Sequence, residues 1–386
     1  NVALGWEPEF FMIKRVNGTD NWWMLDASRG HTSGSYDFRL IADDNWQQGG
    51  VNGFGYPTTD GVSILSYPIS DNAQIYANST YVYIAIRRLP KPPESGTDVY
   101  MASTANQSVD FNVGFRPDLA WTKNLNGGNW FSGTRLTGNK FVLLESASTE
   151  GNASWAWNNP TGTFKSTEAS NPISWLFKRA PGFLDIVAYN GDWVNNRAIN
   201  HNLGVAPELI ITYGRNFGGG QGFTIVPSLS TNEMVKMTST ASRVSSFYGT
   251  SSSTQPTATQ YYVSSNNDIN ETGRTYVSYL FASLDGVSKV GTYNGTGNAI
   301  DVDCGFTNGA RFVLIKRWNA TGGWFLFDST RGITSNNDPY FELQTTNQSI
   351  TSQNLLTPLS TGFTVNGSIT GELNSSSGTY IYLAIA

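Results

Sequence analysis

Cysteine, histidine and charged residues are all scarce in this chain. Its 386 residues include one Cys and two His, and 14% are charged, against about 25% in typical globular proteins. The single Cys304 excludes an intramolecular disulfide framework and leaves the redox compartment open. Because no Cys or His spacing matches a zinc site, the sequence predicts no metal site, and no motif in it indicates a cofactor.

Clustered positive charge and long apolar runs are also absent. The net charge is −5 and there is no basic block, whereas nucleic-acid binding needs a concentrated basic footprint. The longest apolar runs, "YVYIAI" at 81–86 and "YIYLAIA" at 380–386, are far too short to cross a bilayer. We therefore expect neither a nucleic-acid partner nor a membrane span.

Aromatic and small polar residues take the place of charge. Aromatics make up 13% of the chain, 40 residues are Gly, and Gly, Asn, Ser and Thr interrupt almost every window at strand spacing. No helical periodicity is sustained over three turns. Several short strands with frequent turn signals are typical of β-sandwiches. The predicted fold class is all-β, with tandem antiparallel β-sandwich (jelly-roll-like) modules.

One phrase recurs along the chain and divides it into about four repeats. It reads Gly-x-x-Pro-acidic-apolar: "GWEPEFFMIK" at 5–14, "GFRPDLAWTK" at 114–123 and "GVAPELIITY" at 204–213, with a looser fourth copy, "GFTNGARFVLIK", at 305–316. Each repeat also ends in an apolar run of strand composition, such as "TYVYIAIRR" or "TYIYLAIA". The spacing between successive copies is the length of one small domain, and it is too long for one turn of a solenoid.

The closing runs set the module boundaries. We predict module 1 at 1–88, a divergent module 2 at 96–179, module 3 at 182–283 and module 4 at 286–386. Modules 2 to 4 begin with a short strand, a polar turn and a second strand that enters the Gly phrase, whereas module 1 lacks this opening strand. We therefore expect the chain to start inside a repeat. The short linkers require neighbouring modules to touch.

Some aromatics recur at matching places in the repeats. Trp22 matches Trp324, and Tyr83, Tyr279 and Tyr382 recur in the closing runs. Large aromatics dominate small cores. We predict that these residues serve core or inter-module packing.

A second shared phrase links modules 1 and 4. "MLDASRG" at 24–30 matches "LFDSTRG" at 326–332, and both follow an aromatic strand. Asp and Ser or Thr can bond their own downstream backbone, and Gly tolerates a positive φ. The phrase predicts a strand-ending structural turn, formed by Asp26, Arg29 and Gly30 in one copy and by Asp328, Arg331 and Gly332 in the other.

Other aromatics occur in a single module, within loops rich in Gly and Asn. Loops carry function more often than frameworks do. Exposed rings stack on sugars or mark protein interfaces, and they also pack locally, so three alternatives stay open: glycan contact, subunit contact and local packing. These residues are Trp46, Phe54, Tyr56, Trp155, Trp157 and Trp193.

No constellation of catalytic residues is apparent. His31 and His201 have no nucleophile elbow beside them, and we interpret them as surface or turn residues. A glycosidase needs two facing carboxylates, and the sequence pairs none of the candidates. Those candidates are Glu145, Glu150, Glu168, Asp185 and Asp192. We predict no catalytic residues and no enzymatic activity.

Several long phrases resemble a known class of repeat module. "FKRAPGFLDIVAYNG", "HNLGVAPELIITY" and "YLFASLDGVSKVGTYNGTG" are similar to repeat modules in large virion proteins of marine tailed bacteriophages. The similarity covers most of 180–386 and extends to 1–95 through module 1, whereas module 2 matches weakly. It implies a virion structural or adhesive role and carries no catalytic residues.

The resemblance implies a non-enzymatic phage structural protein, such as a tail fibre or exposed appendage that attaches to the host surface. The expected localisation is the virion, on the tail or another exposed particle surface. Expected partners are other virion proteins, a host cell-surface glycan and further copies of the chain, a trimer among the options. Two alternatives remain: a glycan-cleaving tailspike depolymerase, and a capsid or particle decoration protein.

Overall fold

The chain folds almost entirely into short antiparallel strands. The computed structural model describes residues 2–4, 8–26, 37–43, 49–51, 55–58, 61–64, 78–87, 92–105, 111–155, 157, 163–166, 168–218, 222–245, 254–335, 337–367 and 371–386. Within these ranges there are 32 strands, the short helix α1 (Gly371–Asn374) and 3-10 turns at Gly96–Asp98 and Arg135–Thr137. The predicted all-β sandwich-type fold is confirmed.

Module 1 has a large and a small sheet. Its strands are β1 (Val2–Ala3), β2 (Phe10–Arg15), β3 (Trp23–Asp26), β4 (Asp37–Ile41), β5 (Gly49–Val51), β6 (Gly55–Thr58), β7 (Gly61–Ile64) and β8 (Tyr81–Ile86). The large sheet has the order β5-β4-β3-β2-β8, and the small sheet β1-β7-β6. Within the described residues, β8 pairs with β2 alone and forms an edge of the large sheet.

Module 2 repeats this plan with one more strand beside the closing strand. Its strands are β9 (Tyr100–Ser103), β10 (Phe111–Asn112), β11 (Leu119–Asn124), β12 (Trp130–Thr134), β13 (Lys140–Leu143), β14 (Gly151–Asn152), β15 (Thr163–Phe164) and β16 (Pro172–Phe177). The large sheet runs β14-β13-β12-β11-β16-β9, and β10 pairs with β15.

Modules 3 and 4 follow the same order. Module 3 contains β17 (Leu184–Asn190), β18 (Arg197–Asn200), β19 (Leu209–Gly214), β20 (Phe223–Ile225), β21 (Glu233–Lys236), β22 (Val244–Ser245), β23 (Gln260–Val263) and β24 (Thr275–Phe281). Module 4 contains β25 (Ser288–Asn294), β26 (Ile300–Asp303), β27 (Phe312–Arg317), β28 (Trp324–Asp328), β29 (Tyr340–Glu342), β30 (Leu356–Leu359), β31 (Gly362–Val365) and β32 (Thr379–Ile385). Their large sheets run β17-β24-β19-β20-β21-β22 and β25-β32-β27-β28-β29.

Strand register aligns the four modules residue by residue. The first residue of the Gly-phrase strand pairs with the end of the closing strand in each module: Phe10 with Ile86, Leu119 with Phe177, Leu209 with Phe281 and Phe312 with Ile385. This alignment corrects one sequence match. Tyr83 corresponds to Tyr382, whereas Tyr279 corresponds to Ile84, and an offset of one residue places a side chain on the opposite face of a sheet.

Each large sheet has two apolar faces, and in modules 2, 3 and 4 the two faces enter different cores. One face packs on the small sheet of its own module and forms a private core, for example Phe11, Ile13 and Leu25 in module 1. In modules 2, 3 and 4 the other face enters a single common cluster, the shared core, which contains Trp175, Tyr279 and Leu383 among its members. These three modules therefore form one body.

The acidic residue of the Gly phrase ties the end of the closing strand. The carboxylate of Asp118 accepts the backbone N–H of Arg179 at 2.7 Å. Glu208, at the same place in module 3, accepts the backbone N–H of Ser283 at 2.7 Å. Both donors lie two residues beyond their closing strands, so the phrase anchors the start of each linker.

Candidate functional site

Three equivalent backbone hydrogen bonds join modules 2, 3 and 4 in a ring. The donor and acceptor pairs are Glu150 N to Arg215 O (2.6 Å), Arg243 N to Trp318 O (3.0 Å) and Ser349 N to Leu125 O (3.0 Å). Each acceptor is the residue that directly follows a Gly-phrase strand. The contacts run from module 2 to 3, from 3 to 4 and from 4 to 2, so the ring closes after three modules. The body is thus an intramolecular pseudo-trimer.

Buried lysines reinforce two of these joints. In module 2, the ammonium of Lys123 donates to the carbonyls of Gly128 in its own loop and of Thr345 in module 4. In module 4, the equivalent Lys316 donates to the carbonyls of Gly322 and, at 3.1 Å, of Thr240 in module 3. Both side chains are fully buried. Each lysine therefore holds its own hairpin loop and the neighbouring module together.

Indole groups make the matching contacts beside the lysines. Trp130 pairs with Lys123 across strands β11 and β12 and donates to the carbonyl of Thr345 at 3.1 Å. Trp324 occupies the same place in module 4 and donates to the carbonyl of Lys236 in module 3 at 2.9 Å. In module 3 the hydroxyl of Tyr213 replaces the lysine and donates to the carbonyl of Leu144 in module 2 at 3.2 Å.

Burial changes the ionisation of both lysines. Removal from water lowers the pKa of Lys123 to about 8, although the nearby Glu145 carboxylate acts in the opposite direction. Burial also lowers the pKa of Lys316 to about 8, opposed by Glu372. An isolated buried ammonium is costly unless its protons are bonded. The carbonyl partners explain how the two lysines are tolerated inside the joints.

Sequence reasoning missed these lysines, although a signal was present. The Gly phrase ends in Lys at positions 14, 123 and 316, and the partnering Trp recurs at positions 22, 130 and 324. A charged residue at a fixed place in an otherwise apolar strand indicates a specific bonded role. The repeats alone do not reveal which module provides the acceptor.

The DSTRG phrase of module 4 forms a turn that also reaches module 2. The Asp328 carboxylate accepts the backbone N–H of Arg331 at 2.9 Å and pairs with its guanidinium at 2.6 Å. It also accepts the indole N–H of Trp175, from module 2, at 3.2 Å. Gly332 closes the turn with φ of 122°. The predicted structural turn is therefore part of an inter-module joint.

The matching phrase of module 1 is described only in part. Asp26 ends strand β3 and pairs in register with Phe10, as Asp328 pairs with Phe312. Arg29 and Gly30 lie outside the described residues. The structural role predicted for those two residues stays a prediction.

A charged cleft of about 120 Å³ lies where modules 1, 2 and 3 meet. Arg135 pairs with Asp118 at 2.6 Å, and Arg179 pairs with Asp185 at 2.6 Å. Burial alone would raise the pKa of Asp118, but the two arginines hold it below its ordinary value. Module 1 reaches this cleft through Arg87, whose guanidinium donates to the Asn202 side chain. These pairings identify the cleft as a charged joint between modules.

Two predicted contact residues are core residues instead. Trp155 and Trp157 are 4% and 3% exposed and pack on Phe164 inside the private core of module 2. The indole of Trp157 donates to the carbonyl of Gly138 at 3.0 Å. Contact with a glycan or a partner is wrong for this pair in the folded module, because the rings are covered. Local packing, the third alternative, describes both.

Three other predicted contact residues lie wholly or partly outside the described part of the structure. Trp46 and Phe54 lie outside the described residues. Tyr56 lies in strand β6 and pairs in register with Ser63, but its side chain is outside the described part of the structure. Their predicted glycan or partner contacts stay predictions.

Trp193 is presented to solvent on a strained turn. It is 47% exposed and has φ of 64°, in the left-handed region that bulky residues rarely adopt. The fully buried Asn270 holds the turn, because its carbonyl accepts the N–H of Trp193 at 2.8 Å and its amide donates to Val194 O at 2.9 Å. At the equivalent place in module 4 stands Gly297, with φ of 76°. A large ring held where the fold would accept glycine is a good candidate for contact.

The five candidate acids are each held by a separate partner. Glu145 accepts the N–H of Trp130, Glu150 pairs with Arg215, Glu168 accepts the N–H of Ser154, Asp185 pairs with Arg179, and Asp192 pairs with Arg197. These contacts lie at different joints and turns. A glycosidase requires two carboxylates that face one substrate. The five acids instead each bond to a separate partner within the fold.

The other reactive side chains also have structural settings. His201 is buried, its Nδ1 accepts the N–H of Leu203 at 3.2 Å, and burial lowers its pKa. Cys304 is buried, and burial raises its thiol pKa to about 12, which leaves the weakly nucleophilic thiol form. His31 lies outside the described residues.

The described part of the chain contains neither a cluster of metal ligands nor a membrane-spanning helix. No group of three or more His, Cys, Asp or Glu side chains in these ranges could hold a metal ion. No helix in them has the length and apolar character to span a membrane.

Comparison with known proteins places the chain in a family without an assigned function. A family model described as "Domain of unknown function (DUF7483)" matches residues 141–386, well over half of the chain, and the chain belongs to this family. The match begins in β13 of module 2 and continues through modules 3 and 4. No curated protein and no solved structure matches the chain significantly.

Proposed function

We propose that this member of the DUF7483 family is a non-enzymatic structural protein of a phage particle, exposed as a tail fibre or similar appendage and able to contact the host surface. The observation that carries the proposal is the shared core of modules 2, 3 and 4. It joins three small sandwiches into one body. The resemblance of the repeat phrases to phage virion modules supplies the biological setting.

The use of polar side chains supports a structural role over a catalytic one. The buried lysines, the arginine–aspartate pairs and the five candidate acids all bond to backbone or to opposite charges at joints and turns. Catalytic sites instead direct several titratable groups at one position where a substrate reacts. A host glycan would then be bound and left intact, with Trp193 as a contact residue.

The location of the protein on the particle tests this proposal. Antibody against the purified chain, applied to intact virions and viewed by electron microscopy, should label the tail or its appendages. Labelling over the capsid would support the decoration-protein alternative. The absence of the protein from purified virions would refute a structural role.

Incubation with host polysaccharide tests the depolymerase alternative separately. The purified chain should bind polysaccharide without releasing new reducing ends. Release of reducing ends that survives repeated purification would identify a glycan-cleaving enzyme. Trp193→Gly is the matched variant, because it should weaken binding while the module stays folded.

A further inference from the structure

The face of module 1 that corresponds to the shared core is exposed. Along β8, Val82, Ile84 and Ile86 point to this face and are 43%, 49% and 54% exposed. Their counterparts in module 4, Ile381, Leu383 and Ile385, are at most 2% exposed. The equivalent residues of modules 2 and 3 are also buried in the shared core. Module 1 thus exposes an apolar face, whereas modules 2, 3 and 4 bury the corresponding faces against one another in the shared core.

The polar contact points of the ring are present in module 1 as well. Lys14 stands where Lys123 and Lys316 stand, donates to the carbonyl of Asp20 in its own loop at 2.7 Å and lies over the ring of Trp22. Val16 directly follows β2, at the position whose carbonyl accepts the inter-module hydrogen bond in the other modules, and is 57% exposed. Module 1 therefore carries the lysine, the tryptophan and the acceptor carbonyl that together form one side of a joint in the ring.

The ring in modules 2 to 4 indicates what covers this face. Its contacts are heterologous, because each module uses one surface toward one neighbour and a different surface toward the other. Heterologous contacts form closed rings when the rotation between neighbours closes, and here it closes after three modules. A module that keeps the same apolar face and the same contact points is therefore expected to form a closed ring of three as well.

We propose that the module 1 face is a self-association site, and that three copies of this chain assemble through three copies of module 1. The occupant of the face is module 1 of a second copy, with a third copy completing the ring. In this trimer, the three copies of module 1 are arranged as modules 2, 3 and 4 are arranged within each chain. Assembly through module 1 does not depend on where the protein is located on a particle.

Sedimentation of the full chain tests the proposal. At micromolar concentration the wild type should sediment at three times the 42.1 kDa chain mass. Ile84→Glu places a charge at the centre of the exposed face and should sediment as a monomer. A second variant, Val16→Asp, changes the same face outside the strands and should weaken the trimer in the same direction.

Val205→Glu is the matched control, because Val205 is 41% exposed in module 3 and lies outside the ring joints. It should remain trimeric. Circular dichroism should show the same strand content for the two glutamate variants, which would exclude unfolding as the reason for the loss of the trimer in Ile84→Glu.

A monomeric wild type would overturn the proposal, and so would a trimer that survives Ile84→Glu. A wild-type dimer would also overturn it and would point to pairing of the β8 edges of two copies. None of these outcomes bears on labelling of the virion, so failure of the assembly inference is distinguishable from failure of the proposed function.

Discussion

The buried lysine of module 2 gives a pH-dependent stability that can be predicted with its sign. Lys123 has a pKa of about 8 in the folded chain because burial disfavours its charge, whereas an unfolded chain holds the proton up to about pH 10.4. Between these values the unfolded state binds more protons than the folded state. Stability contributed through this group therefore rises as the pH rises.

The magnitude follows from the size of the shift. Each pKa unit is worth about 1.4 kcal/mol, and the difference is recovered progressively as the pH rises from the folded-state pKa towards the unfolded-state pKa. From about pH 7.5 to about pH 9.5, the recovered free energy of unfolding is about 2 kcal/mol for one lysine. Lys123→Met removes the titrating group and should flatten this part of the profile.

Urea unfolding of the wild type and Lys123→Met at several pH values measures this difference. The wild type should gain about 2 kcal/mol relative to the variant across that range. Lys140→Met, on the surface of the same module, controls for the loss of one positive charge. A difference between wild type and Lys123→Met that does not change with pH, or that falls as the pH rises, would refute the reasoning.

Three further predictions concern the turn, the exposed ring and a buried acid. Arg331→Leu should lower the free energy of unfolding by about 3–5 kcal/mol, because it leaves the carboxylate of Asp328 buried without its cation; adding Asp328→Asn should restore part of the loss. Trp193→Gly should leave the urea midpoint unchanged or raise it, since glycine relieves the positive φ, and a lower midpoint would contradict this. Burial raises the pKa of Asp338 to about 6, so wild-type stability should fall as the pH rises from about 4 to about 6. Asp338→Asn should remove this fall, and a slope that persists in the variant would exclude Asp338 as its source.

The sequence was sufficient to predict the fold class because the repeats and strand composition agree with each other. The Gly phrase marks an interior strand of each large sheet, beside the closing strand. Its acid, as in Asp118 and Glu208, bonds the start of the linker. These signals lie within each repeat and agree with the global fold, so a single sequence is enough to recognise them. The single-residue error at Tyr279 arose because apolar residues occupy both faces of the closing strands, so alternation did not define the register.

Contacts between modules could not be predicted from the same signals. Trp155 and Trp157 lie in a segment whose composition is typical of loops, and only tertiary packing on Phe164 makes them core residues. Lys123 reaches a carbonyl more than two hundred residues away in sequence. Propensity and periodicity report on neighbours along the chain, whereas these partners depend on how whole sheets are placed.

The residues at one position of the ring show how an intramolecular trimer can differ from one made of separate chains. Where module 1 has Ile84, modules 2, 3 and 4 have Trp175, Tyr279 and Leu383, all buried in the shared core. The larger two of these side chains each contact a neighbouring module: the indole of Trp175 donates to Asp328 of module 4 at 3.2 Å, and the hydroxyls of Tyr279 and of Ser132 in module 2 lie 2.8 Å apart. Within a single chain each joint can therefore have its own side chain with its own hydrogen-bond partner, which a buried Trp or Tyr needs. Three identical chains must use one residue at all three joints, and an aliphatic residue such as Ile84 packs there without requiring a hydrogen-bond partner.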